Sequence, residues 1–176
     1  MLGRGGVRAA FAGLRVLPLG DGATANARRE TVFSIGTGGM LSVAGGKLTT
    51  YRKIALDALE RVHEPLGLRR VDRRPFPLPG ARGAAPKLPV DVDPDVEAHL
   101  RHLYGSRAAR VVGLAAGEPS LLERIHPDGP DIVAQARFAV TEEWATTADD
   151  VLRRRTTVAL RGLADAGAVR RVERFL

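Results

Sequence analysis

Six of the eleven prolines lie between residues 65 and 93 (Pro65, Pro75, Pro77, Pro79, Pro86 and Pro89), interspersed with Gly67, Gly80 and Gly83. Each proline fixes φ and removes a backbone donor, so neither a helix nor a sheet ladder runs through such a stretch. The stretch reads as an extended, fairly stiff linker. It divides the 176 residues into three parts before any other element is assigned: 1–64, the linker 65–93, and 94–176. A fold that threads one continuous sheet or bundle through the whole chain is excluded.

The part before the linker alternates short β-type runs with glycine. Gly13-Leu14-Arg15-Val16-Leu17 is one such run, and Glu30-Thr31-Val32-Phe33-Ser34-Ile35 is a second. Met40-Leu41-Ser42-Val43-Ala44 follows the turn Gly36-Thr37-Gly38-Gly39. Two β-rich runs joined by glycines predict a hairpin. From Leu48 the apolar residues fall at Tyr51, Ile54, Ala55, Ala58 and Val62, the spacing of one helical face. Pro65 and Gly67 stop that helix.

The part after the linker reads as helices. Asp93 and Pro94 suit the cap and first position of a helix carrying Val96, Leu100, Leu103 and Tyr104. Ser106 is placed to cap a second helix through Val112 and Leu114. Pro119 opens a short third, and Pro130 opens a fourth through Ile132, Val133, Ala136 and Ala139. Thr147 with Asp150 three residues on forms a capping box for a last long helix, which Gly167 closes. Asp149 with Arg153, and Asp150 with Arg154, have the i,i+4 spacing of supporting ion pairs. Arg155 falls on the apolar side and calls for an acid from another helix, Glu142 or Glu143. The expected class is α+β: short antiparallel strands and one helix, then an all-α domain.

Composition narrows the function classes. The net charge is +7, yet only three of the 27 basic residues are lysines (Lys47, Lys53, Lys87) and the arginines alternate with acids. That pattern is a solvated, arginine-rich surface, and specific nucleic-acid binding is not expected. There is no cysteine, hence no disulfide framework or thiolate metal site. No apolar run approaches the ~20 residues of a membrane span, and the first nineteen residues lack a cleavage site. His99 and His102 share a helical face, but two ligands without a third do not make a metal site.

The densest chemical signal is Gly45-Gly46-Lys47-Leu48-Thr49-Thr50-Tyr51-Arg52, which joins a strand to a helix. Such a corner presents backbone N–H groups at the positive end of a helix dipole. It is not a nucleotide P-loop, because Leu48 and Leu41 stand where Ser/Thr and the first glycine belong. It is not a dinucleotide fingerprint either, since Gly36-Thr37-Gly38-Gly39 gives only the first half and Leu41 replaces the last glycine.

This octapeptide resembles the segment near the end of the FAD domain in FAD-dependent glycerol-3-phosphate dehydrogenases. Ala12-Gly13-Leu14-Arg15 is similar to that family's small-Gly-aliphatic-Arg strand. Asp149-Asp150-Val151-Leu152-Arg153-Arg154-Arg155-Thr156 is similar to the signature of its helical C-terminal domain. The resemblance implies oxidation of sn-glycerol 3-phosphate to dihydroxyacetone phosphate. Hydride passes from substrate C2 to flavin N5, and the electrons go on to a quinone, or to oxygen in the related oxidases. It places Gly45, Gly46, Lys47, Leu48 and Thr49 at the pyrimidine edge of the flavin. It assigns Arg15 and Arg29 to the substrate, Arg28 being the competitor of Arg29 by one position. Lys47 either adds charge at the flavin or binds the substrate phosphate. Val16 stands where the family often has proline after the arginine. The family's catalytic base lies upstream, and none is assigned here.

The resemblance also implies a Rossmann half with a G-x-G-x-x-G motif, and nothing before residue 36 matches it. The chain is therefore expected to be a C-terminal piece that is inactive alone, with FAD belonging to the full-length enzyme or to a complementing N-terminal chain. The competing reading is a noncatalytic helical interaction module built on residues 94–176. The expected location is the cytoplasm, with peripheral contact at the inner face of the cell membrane left open.

Overall fold

The computed structural model describes residues 3–14, 30–81 and 83–176. It divides into two compact units, Ala12–Phe76 and Met1–Phe11 with Pro77–Leu176. The described elements are α+β: one antiparallel strand pair, then helices in the larger unit.

In the smaller unit β1 (Thr31–Ile35) and β2 (Leu41–Gly45) pair with Thr31 opposite Gly45 and Ile35 opposite Leu41. The connection is closed by the Gly36 N–H donating to Met40 O at 2.9 Å. Gly38 (φ 75°) and Gly39 (φ 78°) take the left-handed conformations that make the expected glycine turn possible. Helix α1 (Tyr51–Val62) follows, and the chain leaves it through Gly67 at φ 62°. Arginines tie this unit together. Arg61 lies 3.9 Å over the Phe33 ring, and Arg73 pairs with Asp57 and Glu60, each at 3.3 Å. Arg52 donates to the Arg73 and Arg74 carbonyls at 2.7 and 2.9 Å. Of the run Gly13–Leu17, Arg15, Val16 and Leu17 lie outside the described residues, and Gly13 and Leu14 are irregular.

The larger unit begins its helices where the linker prolines end. Helix α2 (Pro94–Tyr104) has Pro94 at its first position and Asp93 at its cap. The Asp93 carboxylate makes no cap bond; it accepts from Arg124 at 2.7 Å, and Asp95 accepts from the same guanidinium. Ser106 does not cap the next helix. Its N–H donates to Gly80 O at 2.9 Å, and a 3-10 turn Gly105–Arg107 runs directly into α3 (Ala108–Gly113). The reason is a close backbone crossing: a Cβ on Gly80 would meet Tyr104 O at 2.5 Å, and one on Gly105 would strike Gly80. Both glycines have positive φ, 90° and 56°.

Pro119 does open a short 3-10 turn, Pro119–Leu122. Helix α4 (Val133–Glu143) starts three residues later than Pro130 suggested. Asp131 O accepts from Ile125 N and Glu123 O from Val133 N, at 2.8 and 2.9 Å. These cross-chain bonds hold residues 131–132 extended. The Thr147–Asp150 capping box forms as expected: the Asp150 N–H donates to Thr147 Oγ1 at 3.1 Å and the Thr147 N–H to Asp150 Oδ2 at 3.0 Å. The long helix after it does not. A π-helical turn (Asp150–Arg155) ends in extended Thr156, whose hydroxyl returns to Val151 O at 2.9 Å. Gly167, expected to close that helix, instead sits in the first turn of α5 (Ala166–Glu173), which Asp165 caps through Ala168 N at 2.8 Å.

Every buried apolar side chain among the described residues lies between Leu88 and Val172. Phe138 of α4 is fully buried and packs nearly perpendicular to the Tyr104 ring, with centroids 5.6 Å apart.

Candidate functional site

The strand-to-helix corner expected from the sequence is present. β2 ends at Gly45, Lys47 is extended, and a 3-10 turn Leu48–Thr50 leads into α1. Neither the 3-10 turn nor α1 has a side-chain cap; the Tyr51 N–H returns to Leu48 O and that of Thr50 to Lys47 O, which leaves the Leu48 and Thr49 N–H groups for an outside acceptor. The Thr50 N–H and hydroxyl both return to Lys47 O at 3.0 Å, which fixes the corner's shape.

Gly45 (φ 76°) and Gly46 (φ 84°) make the reversal. The space that a Cβ would fill at Gly46 is taken by Ile54 Cδ1 at 2.5 Å and Thr31 Oγ1 at 2.8 Å. This glycine is therefore demanded by the packing of α1 on the hairpin. The opposite side of the corner is open. Lys47, Leu48 and Thr49 are exposed, Leu48 by 88%, and Lys47 makes no ion pair among the described residues. A groove of about 530 Å³ lies here, lined by Val43, Gly46, Lys47, Leu48, Tyr51 and Ile54 among others. Val43, Tyr51 and Ile54 were not expected as site residues. The signal was available: Val43 shares the face of Gly45 by strand alternation, and Tyr51 and Ile54 are one turn apart.

Arg15, Arg29 and Arg28 lie outside the described residues. Among the expected site residues, the structure brings together Gly45, Gly46, Lys47, Leu48 and Thr49.

The acidic–arginine segment at 149–155 is structural. Arg153 bonds Asp149, and Arg154 bonds Asp150 at 3.0 Å. Arg155 reaches Glu143, donating to its carbonyl at 2.9 Å with the carboxylate at 3.6 Å. Amide bonds from Thr146, the Thr147 hydroxyl and amide, and nearby Arg154 hold the Asp150 carboxyl down at about 2, against partial desolvation.

One buried polar group had no local signature. Asp131, only 1% exposed, accepts from His99 Nε2 at 2.8 Å and from the Thr157 hydroxyl at 2.7 Å. The Thr157 N–H and the Gln135 amide reach it at 3.2 Å. Desolvation raises its pKa, but the His99 and Thr157 bonds together outweigh it and leave the carboxyl below its ordinary value. Asp131 thus joins α2, α4 and the segment after the π turn, and it uses His99 as a donor. Among the described residues no group of three metal-ligating side chains occurs, and no helix is long and apolar enough to cross a membrane.

Comparison with known proteins accounts for these elements. The family model described as the C-terminal domain of alpha-glycerophosphate oxidase matches residues 72–175. The glycerol-3-phosphate dehydrogenase of Synechocystis is 38% identical over 90% of this chain and 31% of its own length. The "Probable glycerol-3-phosphate dehydrogenase, mitochondrial" of Caenorhabditis elegans is 34% identical over 89% of this chain and 24% of its own. The glycerol-3-phosphate dehydrogenase of Mycobacterium leprae is 33% identical over 90% of this chain and 30% of its own. The chain spans less than a third of the length of these relatives. The capping box at Thr147, the arginine run after it and the helices from Pro94 onward fall inside the matched region, and the chain belongs to the family of the alpha-glycerophosphate oxidase C-terminal domain.

Proposed function

We propose that this chain serves an FAD-dependent glycerol-3-phosphate dehydrogenase, with residues Gly45–Thr49 lying along the pyrimidine edge of the flavin. FAD, when bound, supplies the two-electron acceptor for sn-glycerol 3-phosphate. The observation that carries this reading is the uncapped 3-10 start of the corner, where the Leu48 and Thr49 N–H groups lie beside the exposed Leu48 and Tyr51 side chains. Free N–H groups at a helix N-terminus suit an electron-rich edge, because they stabilise negative charge without reorganising. The exposed apolar flank suits a flat ring. The donor set therefore fits the group the family implies.

Lys47 would hold a full positive charge at that edge or pair with the substrate phosphate; it makes no ion pair among the described residues, which suits either task. Gly46 keeps the corner tight by admitting Ile54. Arg15 is proposed to reach the substrate above the flavin, and Arg29, or Arg28 one position before it, to bind the substrate phosphate, Arg being suited by its bidentate fork. A quinone is the proposed electron acceptor, reached by peripheral contact at the membrane's inner face. An N-terminal FAD-binding chain or domain is the proposed complement, without which this chain would be inactive.

The test is complementation. The chain is mixed or co-expressed with a separately produced FAD-binding half of a family dehydrogenase, and flavin absorbance and glycerol 3-phosphate-dependent dye reduction are measured. Bound flavin and activity are expected only with both parts, and Lys47→Ala should lower turnover about tenfold. Activity indifferent to both Lys47→Ala and Gly46→Val would remove the corner from the site.

A further inference from the structure

Within the smaller unit, two elements close on one glycine. Ile54 of α1 sets its Cδ1 only 2.5 Å from where a Cβ on Gly46 would stand, and the Thr31 hydroxyl of β1 lies 2.8 Å from the same point. Ile54 is half-buried in a unit where no described residue is buried. It also lines the open groove beside Lys47 and Leu48. It therefore stands between the strand pair and the corner that the helix leaves from.

The corner has few other restraints. The last strand bond before it is the Gly46 N–H donating to Glu30 O at 3.2 Å. Gly46 then takes φ 84°, which glycine enters and leaves at little cost. No side chain caps the turn Leu48–Thr50. The bonds from Thr50 to Lys47 O and from Tyr51 to Leu48 O lie inside the turn. They fix its shape and leave its direction relative to the strands to the torsions of Gly46 and Lys47. The corner cannot swing open without parting Ile54 from Gly46. The other tie described between α1 and the hairpin, Arg61 over the Phe33 ring at 3.9 Å, lies about two helical turns further on. We propose that Ile54 is a positioning residue, which by wedging α1 against Gly46 beside Thr31 aims the Leu48 and Thr49 N–H groups at the pyrimidine edge of the flavin. This role rests on the flavin reading of the corner. Hydrogen bonds lose strength steeply with angle, so a small swing of the turn weakens both donors at once.

The experiment combines the whole chain with the FAD-binding half of a family dehydrogenase. FAD affinity is read by fluorescence, and the reduction potential of the bound flavin by equilibration with a reference dye. Ile54→Ala should weaken FAD about tenfold, the size of one hydrogen bond, and Ile54→Val, which lacks the δ-methyl, about threefold. Both should lower the potential, because the donors they misdirect favour the more negative, reduced ring. Arg61→Ala loosens the same helix from its far end and should change affinity less than about twofold, with the potential unmoved. If circular dichroism shows that Ile54→Ala does not fold, Ile54→Val carries the test. Flavin bound with an unchanged potential in the Ile54 variants overturns the positioning role alone, and so do equal shifts for the Ile54 and Arg61 variants. No flavin bound by the unsubstituted pair overturns the flavin reading of the corner, and this role with it.

Discussion

The two units of this chain are held together by different physics. The larger one closes an apolar core in which Leu100, Ile125, Phe138 and Val151 lose all contact with water. In the smaller one no described residue is buried, and Ile35, Met40 and Leu48 remain largely exposed. Its connections are guanidinium groups laid over a ring, a carboxylate pair and two carbonyls. Burial of a large apolar side chain contributes about 1.5–3 kcal/mol, whereas an exposed ion pair contributes at most about 1 kcal/mol. An isolated two-stranded hairpin is marginal in water. Secondary structure that follows its sequence pattern is thus no measure of how strongly a region is held.

That contrast can be broken by hydrogen exchange, where the largest difference is expected. Amides of α2 and α4 should exchange orders of magnitude more slowly than those of β1, β2 and α1. Similar protection in the two groups would mean that the smaller unit has a source of stability other than burial. Next in size are truncations. Phe138→Ala should cost about 3–5 kcal/mol of unfolding free energy, and Val43→Ala less than about 0.5 kcal/mol. Equal losses in denaturant titrations would erase the distinction.

A pH titration sharpens the same comparison within the larger unit. The folded-state pKa of Asp131 is depressed, so its contribution is present above the ordinary carboxylate range and is lost as pH falls through the depressed value. Asp131→Asn should cost about 2 kcal/mol near neutrality. The gap to the unsubstituted chain should narrow below about pH 4; a pH-independent gap would assign the loss to packing alone. Smaller still is Arg155→Leu, expected to cost about 0.5–1 kcal/mol in the same assay because its pairing with Glu143 is half-exposed. The smallest effect concerns Trp144, which ends α4 at φ 60° with its ring 91% exposed. Trp144→Gly should raise stability by up to about 1 kcal/mol, since glycine takes that conformation without strain. A loss would show that the ring makes a contact in solution.

Much of the local architecture was legible because it is encoded locally. The glycines between Phe33 and Val43 announced the hairpin, the spacing from Tyr51 to Val62 announced α1, and Thr147 with Asp150 announced a cap. Arg155 was expected to find Glu142 or Glu143, and Glu143 receives it. Two of the misses share a cause. Ser106 and Pro130 carry sound local signals, but each sits where another backbone segment supplies a better partner: Gly80 for Ser106, and residues 123–125 for the stretch after Pro130. Gly167 differs, because its neighbour Asp165 caps α5 and Gly167 falls in that helix's first turn. The candidate corner was read as a contiguous octapeptide, while Val43 and Ile54, which shape its groove, stand outside it.

By itself the sequence determined the periods of strand and helix, the Thr147–Asp150 cap and the family. These depend on torsional preference and on neighbours within about four residues, which any stretch of chain carries with it. Only the tertiary structure decided which donors share one acceptor. Asp131 gathers His99 and Thr157 from 32 and 26 residues away, Gly80 admits Gly105, and Phe138 packs against Tyr104. Those meetings depend on how helices pack against one another, and packing is settled by the whole set of buried volumes at once.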